Sequence, residues 1–458
     1  MKPSQSKKPR PDPARVLAFD LITQVNREGA YANIRLPQLL GKTDLPLREK
    51  AFATELSYGT LRMQGKYDFA IAKKIDRPFE EIDSKIIDLL RLGCHQIYYM
   101  RVPTHAAVSE TVELARKVVG ESKASYVNAI LRTLTRDEDV FSEIEDSEAF
   151  DLISKLAIKH SHPKWIISSY FDALKDWEKV EELLAFNNIP ASAHLVAWTG
   201  KSTRENLLVT GGSSLPFTSH GIVAATQPND YPDIRNRNAG VQDFGSQLVA
   251  EIFLNTGSLA SGGPLKKSES WLDLCAGPGG KAALLFNALV NLDPEIDFLA
   301  NEPASHRAEL VARVIPRKYI ASFDGRDSKA IGKNFDRILV DAPCTGLGAL
   351  RRRPEARWRK SPGDLKELVA LQRDLLESGY QMLNPDGILA YSTCSPHLME
   401  TKAQVLDLLH RHPDLEILPV DRFHSVPDGS LQSDGTLQLW SHEHNSDSMF
   451  LALFHKKS

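Results

Sequence analysis

The sequence predicts a multidomain chain: an all-α N-terminal domain, a C-terminal α/β Rossmann-like domain, and a small α+β region before the latter. Three observations carry this. The 458 residues exceed one domain at about 150 residues each. Residues 12–136 place apolar side chains at helical spacing, with no alternating strand pattern among them. After Gln242, short apolar runs of strand length alternate with helical stretches, the pattern of a parallel sheet covered on both faces.

Composition narrows the class further. With 42% hydrophobic and 25% charged residues, the chain is neither disordered throughout nor collagen-like. No apolar run approaches the ~18 residues of a membrane-spanning helix. Met1 to Pro13 is basic and lacks an apolar core, unlike a secretory signal. Fifty-six Lys plus Arg against 59 Asp plus Glu give a net charge of -3, which argues against a uniformly basic nucleic-acid binder. Four cysteines, Cys94, Cys275, Cys344 and Cys394, are too few and too scattered for a disulfide scaffold. A reducing cytoplasm is the expected setting.

In chain order, residues 1–11 read as a basic disordered tail. Asp12-Pro13 is a helix start, with a capping acid and proline in the first turn. Ala14, Leu17, Ala18, Leu21, Ile22 and Val25 then share one face. Helices follow over Leu47–Arg62, Tyr67–Lys74, Asp83–Met100, Ala106–Val119 and Ala124–Leu134. Residues 137–151 hold eight acidic and no basic residues, marking a solvated linker. Residues 152–240 form the small α+β region, with strands at His194–Trp198 and Gly221–Ala225. The α/β domain spans 241–458. Its strands are Trp271–Leu274, Asp297–Ala300, Tyr319–Phe323, Arg337–Val340 and Gly387–Tyr391. Helices lie at Ala282–Val290 and Asp364–Leu383, the second with Asp364 and Glu367 at capping-box spacing.

Candidate site residues cluster where such a sheet binds ligands, beyond the carboxyl ends of its strands. Asp273-Leu274-Cys275-Ala276-Gly277-Pro278-Gly279-Gly280-Lys281 follows the first strand and opens a helix. Its glycines let backbone amides approach a ligand. The loop lacks both the dinucleotide glycine spacing and the phosphate-loop ending. Glu302 ends the next strand, where a carboxylate can accept ribose hydroxyls, so an adenosine-containing ligand fits best. A tight strand-to-helix turn with no ligand is the plainer reading of the glycines alone. Asp324 and Asp341 close the third and fourth strands. Four acidic strand ends in sequence are hard to attribute to turn preference.

Two cysteines follow adjacent strands: Cys344 in Asp341-Ala342-Pro343-Cys344-Thr345-Gly346-Leu347-Gly348, and Cys394 in Ser392-Thr393-Cys394-Ser395-Pro396. A lone cysteine is usually a small buried hydrophobe. A pair at neighbouring strand ends points instead to thiol chemistry. No C-x-x-C spacing supports a metal. Beyond Gly348, Arg351, Arg352, Arg353, Arg357, Arg359 and Lys360 surround Trp358. That composition suits phosphate contact with base stacking, or a solvated basic loop.

On these segments, with Val241 to Gln247 and Arg351 to Trp358, the chain resembles the Sun/Fmu (RsmB-type) RNA cytosine-5 methyltransferases. The helical region resembles the NusB-like RNA-binding domain that such members carry. The resemblance spans nearly the whole chain after the tail. It implies S-adenosyl-L-methionine as cofactor, held by Cys275 through Lys281, Glu302, Asp324 and Asp341. It implies Cys394 as the nucleophile that adds to cytosine C6, making C5 able to accept a methyl group. It implies a release role for Cys344, in proton removal or elimination, and contact of Asp341 with the base near N3. Cytosine-5 DNA methyltransferases use a proline-cysteine thiol of the Cys344 kind, so chemistry alone does not choose the nucleophile. Asp273 is read as supporting the loop or the methionine end, and Lys281 as facing cofactor, active site or solvent. The implied partner is RNA, from the RsmB likeness ribosomal RNA or a ribosomal assembly intermediate; no membrane partner is expected, and the oligomeric state is open with a monomer as the default. Departures from the family pattern fall at Ala197, Thr401 and Ser441. The competing reading is a non-catalytic NusB-like RNA-binding or ribosome-assembly factor.

Overall fold

A computed structural model describes residues 11–137, 140–142, 144, 149–259 and 269–458. The basic tail up to residue 10 and much of the acidic linker lie outside the described residues. The chain divides into two compact units. One comprises Met1–Phe171, Asp176–Ile189 and Arg352–Arg359; the other comprises Asp172–Lys175, Pro190–Arg351 and Lys360–Ser458. Residues 152–240, expected as one α+β subdomain, are thereby shared between the two units.

The first unit is helical: α1 (Pro13–Glu28), α2 (Ala32–Leu40), α3 (Leu47–Ala72), α4 (Ser84–Tyr98), α5 (Thr104–Val119) and α6 (Glu121–Leu134), then α7 (Leu152–His160), α8 (Lys164–Leu174, its last turn in the second unit) and α9 (Trp177–Phe186). The Asp12 carboxylate accepts from the Arg15 amide at 2.8 Å and caps α1. The six apolar residues of its expected face are all buried. Helix α3 runs unbroken where two helices were expected. Gly65 disfavours a helix by only about 1 kcal/mol, and its bare face is occupied: a Cβ there would lie 2.4 Å from the Trp358 ring. Val140, within the expected linker, is buried in the helical core.

Arg357 and Arg359 correct part of the expected RNA loop, while Arg353 and Trp358 are exposed. Arg357 is fully buried. Its guanidinium donates to the carbonyls of Arg62 (3.0 Å), Ser161 (3.2 Å) and Asn187 (2.7 Å) and to Asn188 Oδ1 (2.8 Å). Burial pulls its pKa down to about 9, with nearby Arg62 adding to the effect. Arg359 donates to the carbonyls of Val25 (2.8 Å) and Ala30. Buried Glu355 accepts from the Ala32 amide at 3.2 Å. These side chains are internal ties of the helical unit, not a basic surface. Guanidinium donors satisfy carbonyls inside a protein as readily as phosphates outside it, and composition does not distinguish the two uses.

The second unit contains two sheets. The smaller is antiparallel, in the order β2 (Gly212–Ser214), β3 (Gly221–Ala224), β1 (His194–Ala197), β4 (Ala239–Val241). The larger has β5 (Ser270–Asp273), β6 (Asp297–Asn301), β7 (Ile320–Ala321), β8 (Phe335–Asp341), β9 (Leu383–Thr393), β10 (Leu415–Leu418) and β12 (Phe450–Lys456), in the order β10-β12-β9-β8-β5-β6-β7, with β11 (Leu437–Gln438) beside β12. Strands β5 to β9 pair in parallel, as the alternation predicts. Strand β12 pairs antiparallel with β9, β10 and β11, so the sheet is mixed rather than parallel throughout. An antiparallel strand needs no crossover helix, and residues 412–449 contain none longer than four residues.

Helices α10 (Phe244–Leu259), α11 (Gly280–Leu292), α12 (Ser305–Val311), α13 (Pro362–Gln381) and α14 (Lys402–Arg411) belong to this unit. Helix α13 starts earlier than expected. Ser361 is its cap, Pro362 fills the first turn, and Asp364 completes the capping box. The strand order reverses direction between β5 and β8. That switch point opens a crevice at the carboxyl ends of the strands.

Candidate active site

The loop after β5 is shaped for close backbone approach. Gly277 and Gly279 adopt φ values of 56° and 96°, which side chains other than glycine rarely take. A Cβ on Gly279 would also sit 2.9 Å from the Val314 side chain and 3.2 Å from the Val311 backbone. Pro278 and Gly280 are exposed, whereas Ala276 is buried and Cys275 half-buried. Burial pushes the Cys275 thiol well up, with Asp273 adding to it, so it is not a resting nucleophile.

Asp273 is 1% exposed, and apart from a backbone contact from Cys275 its carboxyl oxygens meet no donor in hydrogen-bonding geometry. Burial, then the charge of Asp341, pushes its pKa up to about 7, against an opposing pull from Lys281. A carboxyl buried with so few donors is costly to ionise unless a ligand adds another. Glu302 is buried, accepts from the Ala304 amide at 2.9 Å and pairs with Arg307 at 2.9 Å. Asp324 is half-exposed and held down to about 2 by its hydrogen bonds with Arg326. Asn301 joins these strand ends. Its side-chain amide donates to the carbonyls of Leu274 (3.2 Å) and Phe323 (3.1 Å), and its oxygen accepts from the Phe323 amide at 2.9 Å.

The thiols meet at the next two strand ends. Asp341 on β8 lies opposite Ser392 on β9, which brings Cys344 Sγ within 3.3 Å of Cys394 Sγ. The hydrogen bond to Cys394, then burial, pushes the Cys344 thiol well up. Cys344 is therefore held as the thiol beside the Cys394 sulfur. Buried Lys281, in the first turn of α11, donates to Asp341 Oδ2 at 2.8 Å. Burial pulls the lysine down, but Asp341, Cys394 and Asp273 outweigh it, and its pKa ends raised. Lys281 thus faces the thiol site rather than solvent. Gly348 donates its amide to the Cys394 carbonyl at 2.9 Å. A Cβ there would come within 2.2 Å of the Ser448 carbonyl, so only glycine allows this approach.

Residues 264–455 match the family model described as 16S rRNA methyltransferase RsmB/F, and residues 12–136 match the NusB family. A Mycobacterium tuberculosis (strain ATCC 25618 / H37Rv) protein named as a methyltransferase is 42% identical over 452 residues, 96% of each chain. The chain belongs to the RsmB/F methyltransferase family. Ribosomal RNA small subunit methyltransferase B of Shewanella oneidensis is 28% identical over 463 residues, 96% of this chain and 98% of that one. In fold, the chain is similar to the crystal structure of PH0851, with a TM-score of 0.80 at 19% identity over 98% of this chain and all of that one. NSun6 from Pyrococcus horikoshii, solved with SFG, superposes with a TM-score of 0.51 at 16% identity over 65% of this chain and 98% of that one.

S-adenosylmethionine is the methyl donor of this RsmB/F methyltransferase, and the crevice fits that molecule. The buried Asp273 carboxyl, the glycine turn and Glu302 offer an acceptor, backbone amides and a second carboxylate at neighbouring strand ends. Sequence reasoning missed Asn301, whose only signal is its place before Glu302. It also missed Thr345, Gln372 and Ser395, which brace the thiol loops. The Val241–Gln247 motif is internal bracing. Asp243 accepts from the amides of Gly245 (2.8 Å) and Asp447 (2.9 Å), and Gln247 donates to the Leu195 (3.3 Å) and Gln242 (2.8 Å) carbonyls.

Proposed function

We propose that this methyltransferase forms 5-methylcytosine in RNA, with small-subunit ribosomal RNA or its assembly intermediate as substrate, through a covalent Cys394–C6 adduct. The observation that carries the reading is the pair of sulfurs 3.3 Å apart beside the Lys281–Asp341 ion pair. The relatives named ribosomal RNA small subunit methyltransferase B support the substrate class.

In the proposed cycle, the Cys394 thiolate, stabilised by the Lys281 ammonium, adds to C6. The C5–C6 π pair shifts toward C5, while Asp341 hydrogen-bonds the base near N3. S-adenosylmethionine, when bound, supplies a methyl group to C5 and leaves as its thioether. Cysteine 394 is now a neutral thioether, so the influence that holds the proton on Cys344 is relieved. That proton leaves to solvent, and the Cys344 thiolate takes the proton from C5. The electron pair of the C5–H bond restores the C5–C6 double bond and expels Cys394 as thiolate. The pair returns to its resting state, with one proton released per turnover. A reducing cytoplasm suits this chemistry, because an oxidised pair would have neither group. The substrate cytosine is single-stranded or flipped from its helix, since a base stacked and paired in a helix does not reach a half-buried thiol in a strand-end crevice. Asp273, Cys275 to Lys281, Glu302, Asp324 and Asp341 line the cofactor side in this reading, and the NusB domain adds RNA affinity to a monomeric enzyme.

Incubation of the purified protein with ribosomal RNA and methyl-labelled S-adenosylmethionine tests the reading. Label should appear at cytosine C5, Cys394→Ser should abolish it, and Cys344→Ser should trap a protein–RNA adduct that survives denaturing electrophoresis. Normal methylation by Cys394→Ser would overturn the covalent route. No transfer to any RNA would favour the non-catalytic binding factor.

A further inference from the structure

Behind the two thiols lies a carboxylate that the cycle above does not use. Glu400 closes the short turn Leu398–Glu400 and is fully buried. Its Oε1 accepts from the Thr345 amide at 2.7 Å and from the Gln372 side-chain amide at 3.1 Å. Its Oε2 accepts from the Thr345 hydroxyl at 2.5 Å. Thr345 directly follows Cys344. Because its single hydroxyl proton goes to Glu400, the Ser395 hydroxyl 3.1 Å away must donate to Thr345. Ser395 directly follows Cys394. On the other side of Cys344, the Gln372 amide also donates to the Pro343 carbonyl at 2.9 Å. The backbone on both sides of Cys344 therefore hangs from Glu400 and Gln372, and the Cys394 segment is tied to the same carboxylate through Ser395.

Neutral acceptors could hold a loop at lower desolvation cost than a buried carboxylate. A negative charge here does something a neutral acceptor does not: it opposes a second negative charge on Cys344. We propose that Glu400 is the positioning residue for adduct release, fixing Cys344 against Cys394 and setting the pH at which Cys344 accepts the C5 proton. This rests on the covalent reading above.

The test compares Glu400→Ala, Glu400→Gln and Thr345→Val in the full chain, scoring cofactor affinity, adduct trapped on RNA and the rate of release. Glu400→Ala should keep cofactor affinity within about twofold, still form adduct, and release it on the order of 10- to 100-fold more slowly, the scale of a displaced reacting group. Glu400→Gln keeps the Oε1 acceptor, and its amide can donate to Thr345, whose hydroxyl then turns to Ser395. Release should return to within about threefold of the wild type, with the rising limb of its pH profile moved to lower pH because the opposing charge is gone. A purely structural tie would leave that limb in place. Wild-type release by folded Glu400→Ala overturns the proposal, as does an unmoved pH limb in Glu400→Gln. If Glu400→Ala does not fold, Thr345→Val decides: slowed release with trapped adduct supports the proposal, and wild-type release overturns it. If Cys344→Ser traps no adduct, the covalent reading falls and this proposal falls with it. If Cys344→Ser traps adduct and the Glu400 variants do not, only this proposal fails.

Discussion

Asp273 carries a burial cost that, in the proposed reading, cofactor binding relieves. Its ordinary value of 3.8 is raised to about 7, chiefly by burial. A carboxyl whose folded pKa exceeds its unfolded one disfavours the folded state progressively as pH rises between those values, and fully above the higher one. A shift of roughly three units corresponds to on the order of 4 kcal/mol. Urea unfolding of the cofactor-free protein across pH 4 to 8 should therefore show stability falling through this window relative to Asp273→Asn. Parallel pH profiles for the two proteins would rule the account out. The sulfonium and ammonium of the donor favour the ionised carboxyl, so cofactor affinity should weaken as pH drops below about 7, and Asp273→Asn should flatten that dependence in a calorimetric titration. The sequence identified Asp273 by its place at a strand end. Its raised pKa depends on burial and on the Asp341 charge brought near it in three dimensions, which no linear motif records.

At the scale of elements, the site is a set of strand ends held in register. Asn301 ties three of them through hydrogen bonds to Leu274 and Phe323. Replacing it with alanine should cost about 2–3 kcal/mol in denaturant unfolding, because buried backbone groups lose their partner. It should also weaken cofactor binding about tenfold while RNA affinity stays near normal; equal loss of both would point to general unfolding instead. Alternation of apolar runs located β5 to β9, since strands buried on both faces are short and apolar. Strand β12 escaped notice although five of its seven residues are buried, because an apolar run does not reveal the direction in which a strand pairs. Helix α2 was also missed: it contains Pro37 and lacks a side-chain cap, so its local signals oppose the structure that packing of Ala32 and Leu36 supports.

At the scale of the molecule, the arginine-rich stretch is the clearest divergence between composition and structure. Six basic residues around Trp358 look like a phosphate-binding surface, yet Arg357 and Arg359 spend their donors on carbonyls of the helical unit. Arg357→Leu in the full chain should lower stability by about 3 kcal/mol or more, because several buried acceptors lose their donor at once. It should leave the salt dependence of RNA binding unchanged, since no phosphate contact is removed. A reduced salt slope in filter binding would return Arg357 to the RNA surface. The same averaging affects the net charge of -3, which sums an acidic stretch at 137–151 with basic segments elsewhere and so describes neither.

The membership of Arg352–Arg359 in the helical unit also sets a timetable for biosynthesis. Domains ordinarily fold as they leave the ribosome, the N-terminal one first. Here the helical unit has nearly all its residues by position 189, but its Arg357 tie is translated about 170 residues later, roughly 10–35 s at usual elongation rates. Throughout that interval the carbonyls of Arg62, Ser161 and Asn187 lack the Arg357 guanidinium. The first unit to be synthesised is thus completed only at Arg359, after the strand bearing Asp341 and the Cys344 loop have been made.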